Sequence, residues 1–336
     1  MFGARGPEAS GREPMDRDPV VQAERLTKVY GDLAVVDALS FEVQAGELFG
    51  FLGPNGAGKT TTIRMLTGLS KPTAGTARVL SYDVRSEVVL AKKHLGVVPE
   101  VSNLYDELTA LENLTFMGKL YGVPRRERTR RAEELLGVFR LNDRKGSLVH
   151  TLSRGMKRAL TIAASLVHKP QVLFLDEPTV GLDVAAARSL RALVGGLRHQ
   201  GVTVFLTTHY LEEADALCDR LAILVKGKIV ATGSPADLKG AAEEESVIEV
   251  QFGKPVPQAR EALAPRLPGA SVVAMNGSKL RILGGEPAQV FGAVFAFSLE
   301  SGAAIEAVNT ITPSLADAFV KITGLNPIAM AQEKGK

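Results

Sequence analysis

The hydrophobic pattern changes period several times along the chain. Between Val20 and Val43, VVQAERLTKVY and AVVDALSFEV alternate on either side of Gly31–Asp32, which predicts short strands joined by a turn. Leu48–Leu52 is a continuous apolar run, read as a buried strand. A glycine loop and a helix follow it, and Pro72 and Gly75 mark the next turn. Further strands are predicted near Thr76–Leu80 and at Leu95–Val98. From Glu100 to Val167 the period becomes mostly helical. Thr109 and Glu112 form a capping box, and Pro124 is placed as the first residue of a second helix. Arg125, Arg126, Arg128, Arg130 and Arg131 crowd the start of that helix and read first as a solvated face. In TLSRGMKRAL and beyond, Ser153 is a good N-cap, and Met156, Ala159, Leu160, Ala163 and Val167 recur as a helical stripe.

Strand period returns at Gln171–Asp176. The next helix carries Leu190, Leu193, Val194 and Leu197 on one face and stops at Gly201. Strand Val202–Thr208, helix Leu211–Asp219, strand Arg220–Val225, a hairpin over 226–233 and a Ser-capped helix at 234–240 complete this first body, 20–240. Ala241–Glu245 marks a boundary. Over 245–325 the pattern reads strand 247–252, helix 257–267, strand 270–275, turn Asn276–Gly277, strand 279–283, helix 286–300, strand 303–308 and helix 313–324. The order β-α-β-β-α-β suggests a small α+β, ferredoxin-like accessory domain, followed by a tail at 326–336.

Composition alters this picture little. Of 336 residues, 45% are hydrophobic and 23% charged; the net charge of +3 is too small to imply nucleic acid or an acidic membrane as partner. Cys218 is the only cysteine, so no internal disulfide forms, which fits a reducing compartment. No apolar run approaches the roughly 18 residues of a membrane span. Residues 1–19 mix both charges with glycine and proline and lack the apolar core of a signal peptide. They read as a disordered tail, with Met15 as an alternative start.

Candidate chemistry alters it more. GPNGAGKT stands between an apolar strand and a helix, the context of a phosphate loop. Gly53, Gly56 and Gly58 let the backbone turn so that successive N–H groups of the loop face a phosphate; Pro54, Asn55 and Ala57 complete the ATP-binding loop, with Thr61 in the helix that follows. Lys59 reaches the outer phosphates, and Thr60 offers a hard oxygen to Mg²⁺. Downstream, VLFLDEP ends a buried strand with Asp176, placed to hold the Mg²⁺ shell. Adjacent strand residues alternate, so Glu177 faces elsewhere and can accept a proton from an attacking water. His209 ends the next apolar strand and falls beside the outermost phosphate. A phosphate loop alone serves kinases, GTPases and ATPases alike.

The full set, LTKVYG, GPNGAGKT, LGVVPE, LSRGM, VLFLDEP, GLD and TTH in that order over 20–240, resembles the ATP-binding cassette of ABC transporters. The resemblance implies an α/β P-loop NTPase core with an antiparallel β subdomain and an α-helical subdomain near 100–168. It implies ATP and Mg²⁺ as ligands, with Tyr30 stacking on adenine and Glu100 in the place of a glutamine that contacts metal, lytic water and permease. Ser153 and Gly155 match the signature turn, Asp183 the loop that crosses to a partner subunit, and His209 the switch histidine. Two departures stand out: Glu100 for glutamine, and LSRGM for the commoner LSGGQ. Both resemble the branch of exporters with type-two permeases, which implies a separate transmembrane permease and a head-to-tail second copy. It further implies a peripheral place on the cytoplasmic face of the inner membrane, contact with lipid only through the permease, and no nucleic acid. A non-transport ATPase of translation or DNA repair, an importer ATPase and a small-molecule kinase are the competing readings. The first usually carries tandem cassettes or a long coiled coil, and the last has no use for Ser153.

Overall fold

The computed structural model describes residues 19–243 and 247–326; nearly all of the tails expected at either end, the choice of start and residues 244–245 of the expected boundary lie outside them. Strands β1 (Val21–Tyr30) and β2 (Leu33–Val43) pair antiparallel across Gly31–Asp32. Strand β3 (Leu48–Leu52) leads into helix α1 (Lys59–Leu66), then β4 (Ala74–Val79), β5 (Tyr82–Asp83), α2 (Val88–Lys92) and β6 (Leu95–Val98). Three helices follow: α3 (Ala110–Leu120), α4 (Arg125–Val138) and α5 (Arg154–Ser165). Thr109 and Glu112 close the expected capping box on α3. Pro124 is the cap of α4 and not its first residue: its ψ of 143° is extended, so the helix begins one residue later.

The chain continues through β7 (Val172–Asp176), α6 (Val184–Leu197), β8 (Thr203–Thr208), α7 (Leu211–Leu217), β9 (Arg220–Val225), β10 (Lys228–Gly233) and α8 (Pro235–Glu243). A six-stranded sheet forms in the order β10-β9-β3-β8-β7-β6, parallel except for the β10 edge. Both faces are covered, as a parallel sheet requires. Alternate residues divide between them. Phe49, Phe51, Phe174 and Phe205 pack with Phe41 under the four-stranded sheet β2-β1-β4-β5. Leu48, Leu52, Leu173, Leu175 and Leu206 pack against the helices instead.

The last segment comprises β11 (Val247–Phe252), α9 (Ala259–Leu263), β12 (Ser271–Asn276), β13 (Lys279–Leu283), α10 (Pro287–Ser301), β14 (Ile305–Ile311) and α11 (Leu315–Thr323). Its sheet order, β12-β13-β11-β14, is antiparallel throughout, so each β-α-β pair is split by one strand between its members. The helix expected over 257–267 is shorter because Pro265 stops the α-helical ladder, and 264–266 is a 3₁₀ turn. Helix α11 has two working faces. Leu315 and Phe319 are buried in the core of the first body, while Val320 packs on the tail sheet. On that second face Arg281 Nη1 donates to Asp317 (3.0 Å) and Ser314 (3.0 Å), and its Nε to Glu249 (3.1 Å).

Candidate active site

Three neighbouring parallel strands deliver the site. Leu52 of β3 lies in register with Thr208 of β8, and Asp176 of β7 with Thr207. The glycine loop, the acid pair and His209 therefore leave the C-terminal edge of the sheet side by side, where open α/β sheets bind ligands. A cavity of about 250 Å³ there is lined by Val35, residues 55–61, Glu100 and Glu177.

Gly58 has a φ of +101°, and a Cβ built on it would sit 2.6 Å from the Val35 carbonyl oxygen, so both conformation and space demand glycine. Helix α1 begins at the next residue, and the free N–H groups of its first turn favour an anion. Lys59 is buried. Its Nζ donates to the carbonyls of Gly53 (2.6 Å) and Pro54 (3.1 Å) and lies 3.1 Å from Glu177 Oε1. Thr60 Oγ1 donates to Asp176 Oδ1 at 3.1 Å, and Thr207 Oγ1 to the same oxygen at 2.7 Å. A hydroxyl and a carboxylate side by side are hard oxygen donors of the kind Mg²⁺ shares with phosphates and water, so these residues fit that metal.

Strand alternation is not what aims Glu177. Strand β7 ends at Asp176, and Glu177 adopts φ +47°, a left-handed conformation that costs an L-residue on the order of 1–3 kcal/mol. Its N–H donates to Thr207 Oγ1 at 3.1 Å and to the Thr207 carbonyl at 3.2 Å, which pins the turn. The side chain then meets Lys59 on one oxygen and His209 Nδ1, at 2.8 Å, on the other. An ionised carboxylate only accepts, so Nδ1 carries the hydrogen. Burial pushes Asp176 up from the ordinary carboxylate range, relieved in part by the Thr207 and Thr60 hydroxyls. Burial pushes Glu177 up too, but the His209 hydrogen bond and the Lys59 charge outweigh it and hold this carboxyl below that range.

Two buried charges beside the site were not singled out from the sequence. Arg158 of α5 donates through Nε to Pro178 O (2.9 Å) and through Nη2 to the carbonyls of Asp176 (2.7 Å) and Glu177 (3.2 Å). Its Nη1 reaches the carbonyls of Pro99 and Glu100, so one guanidinium ties the acid pair to the Glu100 loop. Its sequence signal is an arginine opening the run 158–165, every residue of which is buried. Glu213 of α7 is 1% exposed, and neither carboxylate oxygen makes a sound hydrogen bond, although Thr208 and Thr179 flank it.

Burial pushes the Glu213 carboxyl up, so the folded chain holds its proton more readily than the unfolded one. Stability therefore falls as pH rises above the ordinary value of 4.5. Glu213→Gln is expected to stabilise the fold at pH 7 by on the order of 1 kcal/mol, seen as a higher thermal midpoint. The gain disappears in melts below about pH 4.5, where both states are protonated. A midpoint unchanged or lowered at pH 7 would show that the carboxylate is satisfied in the fold.

The remaining sequence-derived residues lie apart from this cavity. Tyr30 is 49% exposed at the end of β1, with Lys28 Nζ 4.9 Å from its ring centre and its hydroxyl 3.5 Å from Ser70 Oγ. The Ser153 hydroxyl accepts from the Met156 N–H at 3.3 Å, and Asp183 accepts from the Ala186 N–H at 2.8 Å; each caps its own helix. A Cβ built on Gly155 would lie 2.9 Å from the Ala186 Cβ, so the first turn of α5 and the start of α6 pack on each other. None of Tyr30, Ser153, Gly155 or Asp183 lines the cavity.

A buried lysine at an anion-binding helix start, facing a carboxylate poised as a base, is the arrangement of a phosphate-loop ATPase. Comparison with known proteins narrows the class. The profile of the family described as "ABC transporter" matches residues 36–180. The linearmycin resistance ATP-binding protein LnrL of Bacillus subtilis (strain 168) is 42% identical over 231 residues, 69% of this chain and 74% of that protein. Nod factor export ATP-binding protein I of Rhizobium meliloti is 39% identical over 323 residues, 96% of this chain and 93% of the relative. A solved ATP binding subunit of an ABC transporter superposes with a TM-score of 0.60 at 32% identity, covering 66% of this chain and 92% of its own. A dimeric ATP-binding cassette in a post-hydrolysis state, bound to ADP and Pi, gives 0.58 at 26% identity, covering 64% and 98%. The chain belongs to the ABC transporter family as an ATP-binding subunit, an ATP hydrolase whose reaction powers transport.

Proposed function

We propose that two copies of this chain bind MgATP between them and drive export through a separate permease on the cytoplasmic face of the membrane. The observation that carries this reading is the division of the motif residues. The phosphate loop, Glu100 and Glu177 line one cavity, while Ser153, Gly155 and Asp183 gather on a different surface of the same chain. A second copy placed head to tail offers its Ser153 hydroxyl, Gly155 N–H and the start of its α5 to the outer phosphate, the end of a helix that favours anions. The dimeric, post-hydrolysis relative supports this assembly. Relatives named for Nod factor export and linearmycin resistance support export. Among the described residues no helix is long and apolar enough to cross a membrane.

In the site, Thr60 and Asp176 would hold Mg²⁺, which would supply positive charge to offset that of the phosphates. The arriving triphosphate competes for Lys59 and frees one oxygen of Glu177, which takes a proton from the attacking water. His209 holds the other oxygen and orients the base. Tyr30 takes the adenine, with Lys28 displaced from its ring. Beside the Glu100 loop, an apolar groove of about 350 Å³ is lined by Leu69, Val97, Pro99, Met117, Tyr121 and Thr161. Pro99 belongs both to this groove and to the carbonyls gathered by Arg158, so a permease helix seated there would press on the catalytic backbone.

The test is affinity purification of the tagged chain from membranes of its own host. Recovery of a multi-span protein, lost when Met117→Arg blocks the groove, is the expected result. Recovery of ribosomes or DNA-repair factors without a membrane protein would overturn export in favour of a non-transport ATPase.

A further inference from the structure

Helix α10 is uncharged from Pro287 to Leu299, with Glu286 and Glu300 at its ends. Val290, Val294 and Phe297 bury one side of it in the tail core. At 100° per residue, Ala288, Gly292, Phe295 and Leu299 fall within an arc of roughly 60° on the opposite side. All four are exposed, Phe295 by 52% and Leu299 by 87%. Gly292 stands mid-helix, where glycine costs roughly 0.5–1 kcal/mol against alanine. Nothing in its own chain explains it, because a Cβ built there would meet no atom within 4 Å.

The stripe matches itself. Place two such helices antiparallel about a two-fold axis that sets position 292 against 295, and 288 falls against 299. Each large side chain then meets a small one: Phe295 lies over the partner copy's glycine at 292, and Leu299 over its alanine at 288. Pairing like this is isologous, the commonest closed symmetry, and close helix contact needs such gaps. Glu286 of one copy comes near Glu300 of the other, whose carboxylate receives two bonds from Arg266, at 3.1 and 2.6 Å, so that ion pair lessens the repulsion between the two acids. The stripe offers on the order of 400 Å² per copy, against about 800 Å² per partner in a stable interface. It is therefore too small to hold a dimer alone and large enough to reinforce one held elsewhere.

We propose that the α10 stripe Ala288–Gly292–Phe295–Leu299 docks on the same stripe of a second copy of this chain once nucleotide has brought the two together. This rests on the two-copy reading above. The test uses the full chain with Glu177→Gln, which retains ATP, analysed by sedimentation with MgATP. Adding Phe295→Glu is expected to weaken the ATP-dependent dimer about tenfold or more, with the circular dichroism spectrum and ATP affinity of the monomer unchanged. Crosslinking sets the register. An Ala288→Cys chain mixed with a Leu299→Cys chain should form an intermolecular disulfide with MgATP, whereas either alone should not, since its two thiols lie roughly 16 Å apart along the pair. Native Cys218 is buried and its thiol is pushed well up by that burial, so it contributes no background. An ATP dimer that forms equally well with Phe295→Glu and yields no mixed crosslink overturns the stripe alone. Absence of any ATP dimer overturns the two-copy reading and this inference together.

Discussion

Glu177→Gln is expected to bind ATP as tightly as the wild type and to lose turnover by about 10²–10⁴-fold, the usual contribution of a general base. The amide preserves volume and keeps one oxygen to accept from Lys59, 3.1 Å from the native carboxylate, while its NH₂ faces His209 Nδ1, 2.8 Å from that carboxylate, which must then take the tautomer that accepts. It cannot hold a proton. The depressed affinity of Glu177 for protons makes it a weak base while Lys59 is beside it. On the proposed mechanism, phosphate arriving in the loop would draw the ammonium away, remove one of the interactions that depress the carboxyl, and so raise its basicity when a water must be activated. Asp176 behaves oppositely: burial already pushes it up, and a divalent cation held there would supply the charge that favours its ionisation. Single-turnover hydrolysis, alongside equilibrium binding of a fluorescent ATP analogue, separates the two functions. Wild-type turnover in the variant would remove Glu177 from the chemistry. Lost binding would show instead that its pairing with Lys59 organises the loop.

Much of this architecture is legible in the residues because local forces decide it. Leu48–Leu52 and Leu95–Val98 are strands at the expected bounds, since continuous apolar runs of that length are stable only when buried on both faces. The phosphate loop is legible because only glycine fits beside Val35. What the sequence withholds depends on long-range contact. The sheet order places β3 between β8 and β9, strands more than 140 residues later, and no local pattern encodes that. The orientation of Glu177 comes from a left-handed residue held by Thr207 on a neighbouring strand, so alternation suggests a side chain pointing elsewhere for the wrong reason. Arg158 shares a helix with an apolar stripe and reads as a solvated side chain until five carbonyls from two segments of the chain converge on it. The short helix α9 shows local chemistry winning, because Pro265 ends a ladder that hydrophobic spacing alone would extend.

Ser153→Arg is expected to leave ATP binding by the single chain intact while hydrolysis falls by about 10²–10³-fold, the scale of losing one preorganised donor to a charged transition state. The separation of effects follows from position. Ser153 is exposed and absent from the cavity that holds the phosphate loop, so the substitution changes no residue of the chain's own site. Loss of its cap on the Met156 N–H costs about 1 kcal/mol, which a domain of ordinary stability tolerates. What changes is the surface that a second copy would present to phosphate: a hydroxyl becomes a long cation, and the start of α5 loses its close approach. Ser153→Thr keeps both hydroxyl and cap and should recover most activity, which separates chemistry from folding. The decisive measurement is ATPase rate against protein concentration. Wild type should rise more steeply than linearly as copies associate, and Ser153→Arg should stay at the low, linear rate of isolated chains. If Ser153→Arg hydrolyses ATP normally with the same concentration dependence, the site is complete within one chain, and Ser153 does no more than cap its own helix.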